Sequence, residues 1–262
     1  LFKIADAAKS KGFDPKSLIK EEIRVSRDLA DRVEYMVGPA GVGNRIRELS
    51  HLKRTHLAFK IAEEILYGAF GKFEDEKAAE NAVKTGTAIL TEGVTAAPIQ
   101  GIAKVSIKKN RDGTPYLAIY FAGPVRSAGG TELALVAILG DYVRKLLGVG
   151  TYQATEEQIK RFIEEIRLYA REVARFQHHV SDETIAYALN RLPIEVTGLK
   201  SDPVEVSNFR DIEGIETNCV RGGALRVIND GLAGRASKVL KIINELNLSG
   251  WIWLKNINTT KN

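Results

Sequence analysis

Hydrophobic positions recur every three or four residues through the first third of the chain. Leu29, Val33, Met36 and Val37 mark a helix from Ser26 to Val37, which Gly38-Pro39 stops. Ile46, Leu49, Leu52, Leu57, Ile61 and Ile65 continue the period as one helix from Asn44 to Tyr67, broken by Gly68 and Gly71. Ala78, Ala82, Val83 and Ile89 give a third helix from Glu74 to Leu90, and Pro98 closes the region. The period then falls to two. Ile102 to Lys108 and Tyr116 to Ala122 flank an Asn110-Arg111-Asp112-Gly113 turn and predict a β-hairpin. The second strand is apolar on both faces, which places it inside a sheet.

Helical spacing returns at Thr131–Leu147 and at Thr155–Phe176. In the latter, Thr155 and Gln158 form a capping box and Ile159, Phe162, Ile163, Ile166, Tyr169 and Val173 form one stripe. A short helix follows over Ser181–Asn190. Short strands are predicted at Ile194–Thr197 and Val204–Ser207, around a Lys200-Ser201-Asp202-Pro203 turn. Ala224 to Leu246 reads as mostly helical. The class is therefore α+β and helix-rich, a helical N-terminal third followed by a mixed region with a small, mainly antiparallel sheet. The expected division is residues 1–97 as a helical segment, 98–250 as an α+β core with glycine-rich loops, and 251–262 as a C-terminal tail.

At 44% hydrophobic residues over 262 positions, the composition supports a folded core. The chain opens at Leu1 with no Met, so it is expected to be cut from a longer chain or processed. No charged segment leading into an apolar run resembles a signal peptide, and no stretch approaches the ~18 apolar residues of a membrane span. A soluble, cytoplasmic protein is expected. The single Cys219 excludes an internal disulfide and a cysteine-based zinc site within the chain. His178 and His179 are read as a polar helix end before Ser181, because neighbouring rings rarely converge on one ion. The net charge of +5 raises the expectation of a polyanionic partner. One Met, one Cys and abundant Lys, Glu and Ile are a bias of hyperthermophile proteins.

Four segments carry candidate chemistry. In Tyr120 to Thr131 a strand runs into a glycine-rich loop and then a helix, which aims backbone N–H groups where an anion is favoured. Arg126, Ser127, Gly129 and Gly130 are the candidate phosphate contacts; the other reading is a tight turn capped by Thr131. It is not a Walker loop, since no Gly-Lys-Ser/Thr follows. In Val206 to Gly223, Arg210, Arg221 and Gly222 are candidates of the same kind, and the glycines there would admit either backbone or phosphate. Asp211, Glu213 and Glu216 either hold Mg²⁺ or pair with Arg210 and Arg221. Arg167, Arg171 and Arg175 form one basic row on a helix, and Lys108, Lys109 and Arg111 make a basic hairpin tip; each is either a nucleic-acid contact or a solvated face. Gly38-Pro39-Ala40-Gly41 has the outline of a Gly-x-x-Gly backbone clamp without its positive charge, and reads better as a turn. Trp251 and Trp253 are candidates for a protein interface or for the core. No Gly-x-Ser-x-Gly elbow, Cys–His pair or dinucleotide fingerprint occurs, and no self-contained active site is visible.

Tyr120 to Thr131 resembles a signature of the large subunit of archaeal family D DNA polymerases. So do Arg32-Val33-Glu34, Val37-Gly38-Pro39, Arg45 to Leu49, Ala88 to Gly93, Ala97-Pro98-Ile99, Gly101-Ile102-Ala103, Pro193 to Gly198, Arg210-Asp211, Glu216-Thr217-Asn218, Val220 to Ala224 and Gly250 to Leu254. The departures are local: His178-His179-Val180-Ser181 stands where the family more often has Tyr-His-Pro-Ser, and Asn208-Phe209 and the Asn-rich tail are unusual. The resemblance implies the N-terminal region of a subunit that performs template-directed DNA synthesis with Mg²⁺. It implies DNA primer–template, a small proofreading 3′–5′ nuclease subunit and the remainder of the large subunit as partners. The polymerase carboxylates and zinc modules would lie further along that subunit, so no catalytic residue, metal or cofactor is expected here. An interaction module that holds the small subunit or self-associates, without touching DNA, is the alternative.

Overall fold

The computed structural model describes residues 28–92 and 96–257. Gly93, in one of the motifs above, and the Asn- and Thr-rich end of the tail lie outside them.

Helix α1 (Leu29–Met36) is capped by Asp28, whose side chain accepts from the Asp31 N–H. The Gly38–Gly41 segment is a turn: Gly41 has φ 89°, and the Glu34 carboxylate accepts from the backbone N–H groups of Gly41 and Gly43. Two helices follow where one was expected, α2 (Val42–Glu48) and α3 (Arg54–Leu66). The apolar period runs through Leu49 and Leu52, but the backbone turns there, and both side chains still reach the core from the turn. Helix α4 (Asp75–Leu90) completes the helical third.

The hairpin forms as read, β1 (Ile102–Lys109) against β2 (Pro115–Phe121). Asp112 accepts from the Thr114 N–H and hydroxyl, and Gly113 takes φ 84°. β2 is the central strand. It pairs antiparallel with β1 over seven positions and parallel with β3 (Glu195–Gly198) over four, so the sheet is mixed, with its longer ladder antiparallel. The strand expected at Val204–Ser207 reduces to one isolated bridge, Glu205 with Cys219, because the segment bends around a buried arginine described below.

Between β2 and β3 lie α5 (Gly130–Leu146), α6 (Glu156–Glu172) and α7 (Asp182–Leu189). The Thr155–Gln158 capping box is present, but α6 ends at Glu172 rather than Phe176. After β3 come α8 (Gly222–Arg226), a π-helical stretch Val227–Ala233, and α9 (Ala236–Glu245). The two faces of β2 follow its period. Leu117, Ile119 and Phe121 enter the main core, where Ile119 meets α5 at Gly140. Tyr116, Ala118 and Tyr120 form a small separate cluster on the opposite face. The main core is continuous from Ala30 in α1 to Ile257.

Trp251 and Trp253 belong to that core and are not an exposed interface pair. Their rings stack 5.6 Å apart, and Trp251 is 1% exposed. The Trp251 indole donates to Asp141 in α5. Among the described residues no helix is long and apolar enough to cross a membrane.

Candidate nucleic-acid interface

The Ala122–Gly130 segment is tighter than a loop. Gly123–Ser127 is a 3-10 helix, and α5 starts at Gly130 with Gly129 as its N-cap. Thr131, expected as the cap, is buried and caps nothing. The α5 N-terminus already faces a carboxylate, since Glu132 lies directly over Gly129. The positive group left at the surface is Arg126. Its Nε donates to the Gly123 carbonyl (2.9 Å) and its Nη1 to the Tyr169 hydroxyl (3.1 Å), with Asp202 at 3.7 Å. The side chain is nevertheless 40% exposed. Ser127 is exposed and donates to the Pro124 carbonyl.

Tyr169 takes a second guanidinium. Arg226 donates to the same hydroxyl (3.4 Å), to Asp230 (2.5 Å) and to the Arg175 carbonyl (2.8 Å). Sequence reasoning missed Arg226. The available signal was Arg226, Asn229 and Asp230 at helical spacing within an otherwise apolar run. Asp230 also accepts from the N–H groups of Gln177 and His178, which draws the α6–α7 connection onto the π-helix. The histidine pair therefore sits in that connection and does not end a helix.

Arg221 turns inward. It is 2% exposed and joins Glu165 through Nε, Nη2 and its backbone N–H, and Thr197 through Nη1. Arg161, 0% exposed, donates to Oε1 of Glu165, which Arg221 Nη2 also reaches, and to the carbonyls of Phe209 (2.7 Å) and Thr217 (2.8 Å). This buried Arg–Glu–Arg triad clamps the 205–219 segment to α6 and offers Arg221 to no outside ligand. Gly222 and Gly223 admit protein rather than phosphate. A Cβ at Gly223 would lie 2.5 Å from the Ala122 carbonyl, and one at Gly222 would run into Asp202 and Tyr169. The Gly222 N–H is taken by Ser201.

The three acids of this segment are held apart. Asp211 exchanges hydrogen bonds with Asn218, Glu216 accepts from Tyr120 (2.7 Å) and Lys104 (3.3 Å), and Glu213 lies 3.8 Å from Arg111. Their partners are thus not the Arg210 and Arg221 expected from the sequence. Among the described residues no three His, Cys, Asp or Glu side chains gather as a metal site. The Tyr120 hydroxyl, more than Lys104, holds the Glu216 carboxyl below the usual carboxylate range. Burial, then the charge of Glu195, pushes the Tyr116 phenol well above its usual range. Burial alone would raise Glu164, but the N–H groups of Ser207, Asn208 and Phe209 hold it low.

At the hairpin tip, Lys108 points in, to Glu195 (2.8 Å) and the Gly214 carbonyl (2.9 Å), while Lys109 is exposed. Lys109 and Arg111 border an open cavity of ≈ 420 Å³ with Tyr116, Tyr152 and Gln153. Arg210 pairs with Glu205 (3.0 Å). The expected arginine row does not form, since α6 stops short of Arg175. Arg167 pairs with Asp182, and Arg171 with Glu172.

The candidates therefore fall into two groups. Arg126 and Arg226 reach Tyr169 near the C-terminal end of α6, and Ser127 follows Arg126; Lys109 and Arg111 lie by Glu157 and Gln158 at its N-terminal end, and Arg210 follows Phe209, which is held at the middle of the helix. Glu157 and Tyr169, which mark the two groups, lie about 18 Å apart along α6.

The module is α+β, with exposed Lys109 and Arg126 on different parts of its surface and the acids of the 205–219 segment paired singly. Comparison with known proteins gives the family. Residues 1–260 match the profile described as DNA polymerase II large subunit DP2, N-terminal, and the chain belongs to that family. It is 47% identical over 262 residues to the DNA polymerase II large subunit of Methanococcus vannielii, covering all of this chain and 23% of that protein. Identity is 47% over 258 residues with the subunit of that name from Pyrococcus furiosus, covering 97% of this chain and 20% of the relative. For Thermococcus kodakarensis it is 45%, covering 97% and 14%. The chain thus spans less than a quarter of these relatives.

Proposed function

We propose that this chain is the N-terminal module of the large subunit of a DNA-directed DNA polymerase, and that it contacts the DNA backbone without supplying the catalytic carboxylates. Template-directed synthesis, and proofreading by a small-subunit 3′–5′ nuclease, belong on this reading to the whole assembly. Family membership supports the parent role. The observation that carries the DNA contact is the setting of Arg126. Its guanidinium is pinned at Gly123 and Tyr169 yet 40% exposed, with Arg226 behind it on the same hydroxyl. A pre-oriented guanidinium loses little freedom on meeting a phosphate, and that contact positions a duplex without reading its sequence.

The test is binding of the full polymerase to a primer–template duplex across a salt series. Arg126→Ala should weaken binding and reduce the slope of log affinity against log salt by about 1. Arg126→Lys should restore most of the slope. Unchanged affinity and slope in Arg126→Ala would overturn the contact. Buried Trp251 and Trp253 leave the subunit-assembly alternative without the surface expected for it.

A further inference from the structure

The connection from α3 to α4 reads Tyr67-Gly68-Ala69-Phe70-Gly71-Lys72-Phe73-Glu74, three aromatic residues in a short turn. It is an ordered turn. Tyr67, Gly68 and Ala69 donate to the last turn of α3, Gly71 donates to Gly68, and both glycines take positive φ (79° and 109°), a region that L side chains rarely adopt. Phe70 packs against the core as the anchor. Tyr67 stays 69% exposed and Phe73 37%. Single exposed apolar residues are ordinary, but two exposed aromatics on one short connection anchored by Phe70 form a presented surface.

The charges around the turn select its partner. Glu63 and Glu64 on α3 are already paired with Lys60 and Arg45, so the acids that border the turn are Glu74, Asp75 and Glu76, with Lys72 and Lys77 on either side. Glu74, Asp75 and Glu76 are exposed beside Phe73. A phosphate backbone would meet repulsion there. A two-fold contact with a second copy would set this acidic patch against itself. Charge complementarity fits a protein surface with an apolar pocket rimmed by Lys and Arg.

We infer that the Tyr67–Phe73 turn docks into such a pocket on the part of the large subunit outside these 262 residues. The inference rests on the reading of the chain as one module of a longer subunit. The relatives it matches are more than four times its length, so most of such a subunit is available to cover the turn.

Hydroxyl-radical footprinting of the full-length large subunit, alone and without DNA, tests it. Tyr67 and Phe73 should be oxidised several-fold more slowly than their exposure in this module implies. Labelling at the exposed rate in the large subunit alone would overturn the inference, even if protection appears on adding the small subunit or DNA. Loss of protection on deleting residues 1–27 would assign the cover to that segment and would equally overturn it. Primer extension by the same preparation, supplemented with small subunit, checks the parent reading separately. A bare turn in an active enzyme would count against the docking surface alone.

Discussion

Asp141 is a carboxylate 1% exposed on α5, and three donors reach it: Arg144 (2.9 Å), Lys145 (2.8 Å) and the Trp251 indole (2.9 Å). A buried carboxylate needs such company, because its desolvation is otherwise uncompensated. Trp251 thus ties the segment after α9 to the centre of α5 by one hydrogen bond and by stacking on Trp253. Trp251→Phe keeps an aromatic ring but removes the donor and part of the packing. It should lower stability by roughly 1–3 kcal/mol, read as a lower denaturation midpoint. An unchanged midpoint would mean that the indole N–H contributes nothing. Two tryptophans in a short motif do not announce this from sequence, since a core pair and an interface pair look alike until the Asp141 side is known.

Among the elements, α6 does most to organise the candidate interface. Its stripe and capping box were legible residue by residue. The inward direction of Arg161 and Glu165 was not, because an i, i+4 Arg–Glu pair on a helix ordinarily lies in water. Here it is sealed under the 205–219 segment, which contributes carbonyls where a strand would have placed ladder bonds. Glu165→Gln would leave two buried guanidinium groups without their shared carboxylate. Breaking such a pair costs about 3–5 kcal/mol. Hydrogen exchange in residues 205–219 should rise, beyond the change in elements remote from the triad. Uniform exchange across the protein would show that the triad does not hold this segment in particular.

At the scale of the molecule, Lys109 borders the cavity at the N-terminal end of α6, and Arg126 reaches Tyr169 near its C-terminal end. The distance between these two places along α6, about 18 Å, corresponds to about five base pairs of duplex at 3.4 Å each. If both ends lie along one DNA track, Lys109 and Arg126 neutralise different phosphates without sharing a partner. Lys109→Ala with Arg126→Ala should then reduce the salt slope by about 2, the sum of the single effects. A double variant no different from Arg126→Ala would remove the hairpin tip from the track.

The sequence by itself determined the helices over 29–36 and 75–90, the hairpin with its central apolar strand, the capping box of α6 and the family. Each rests on local periodicity, on turn chemistry or on long motifs in order, all of which are written along the chain. Tertiary structure alone decided which charges face water. Arg221 and Lys108 read like surface cations beside Arg126 and Lys109, yet the first two are paired inside with Glu165 and Glu195. Whether Gly222 and Gly223 serve a phosphate or a backbone was likewise decided by residues far away, Tyr169 and Ala122. Sequence fixes which side chains are charged or small. Whether such a residue is solvated, paired or packed depends on partners that only the folded chain brings within a few ångströms.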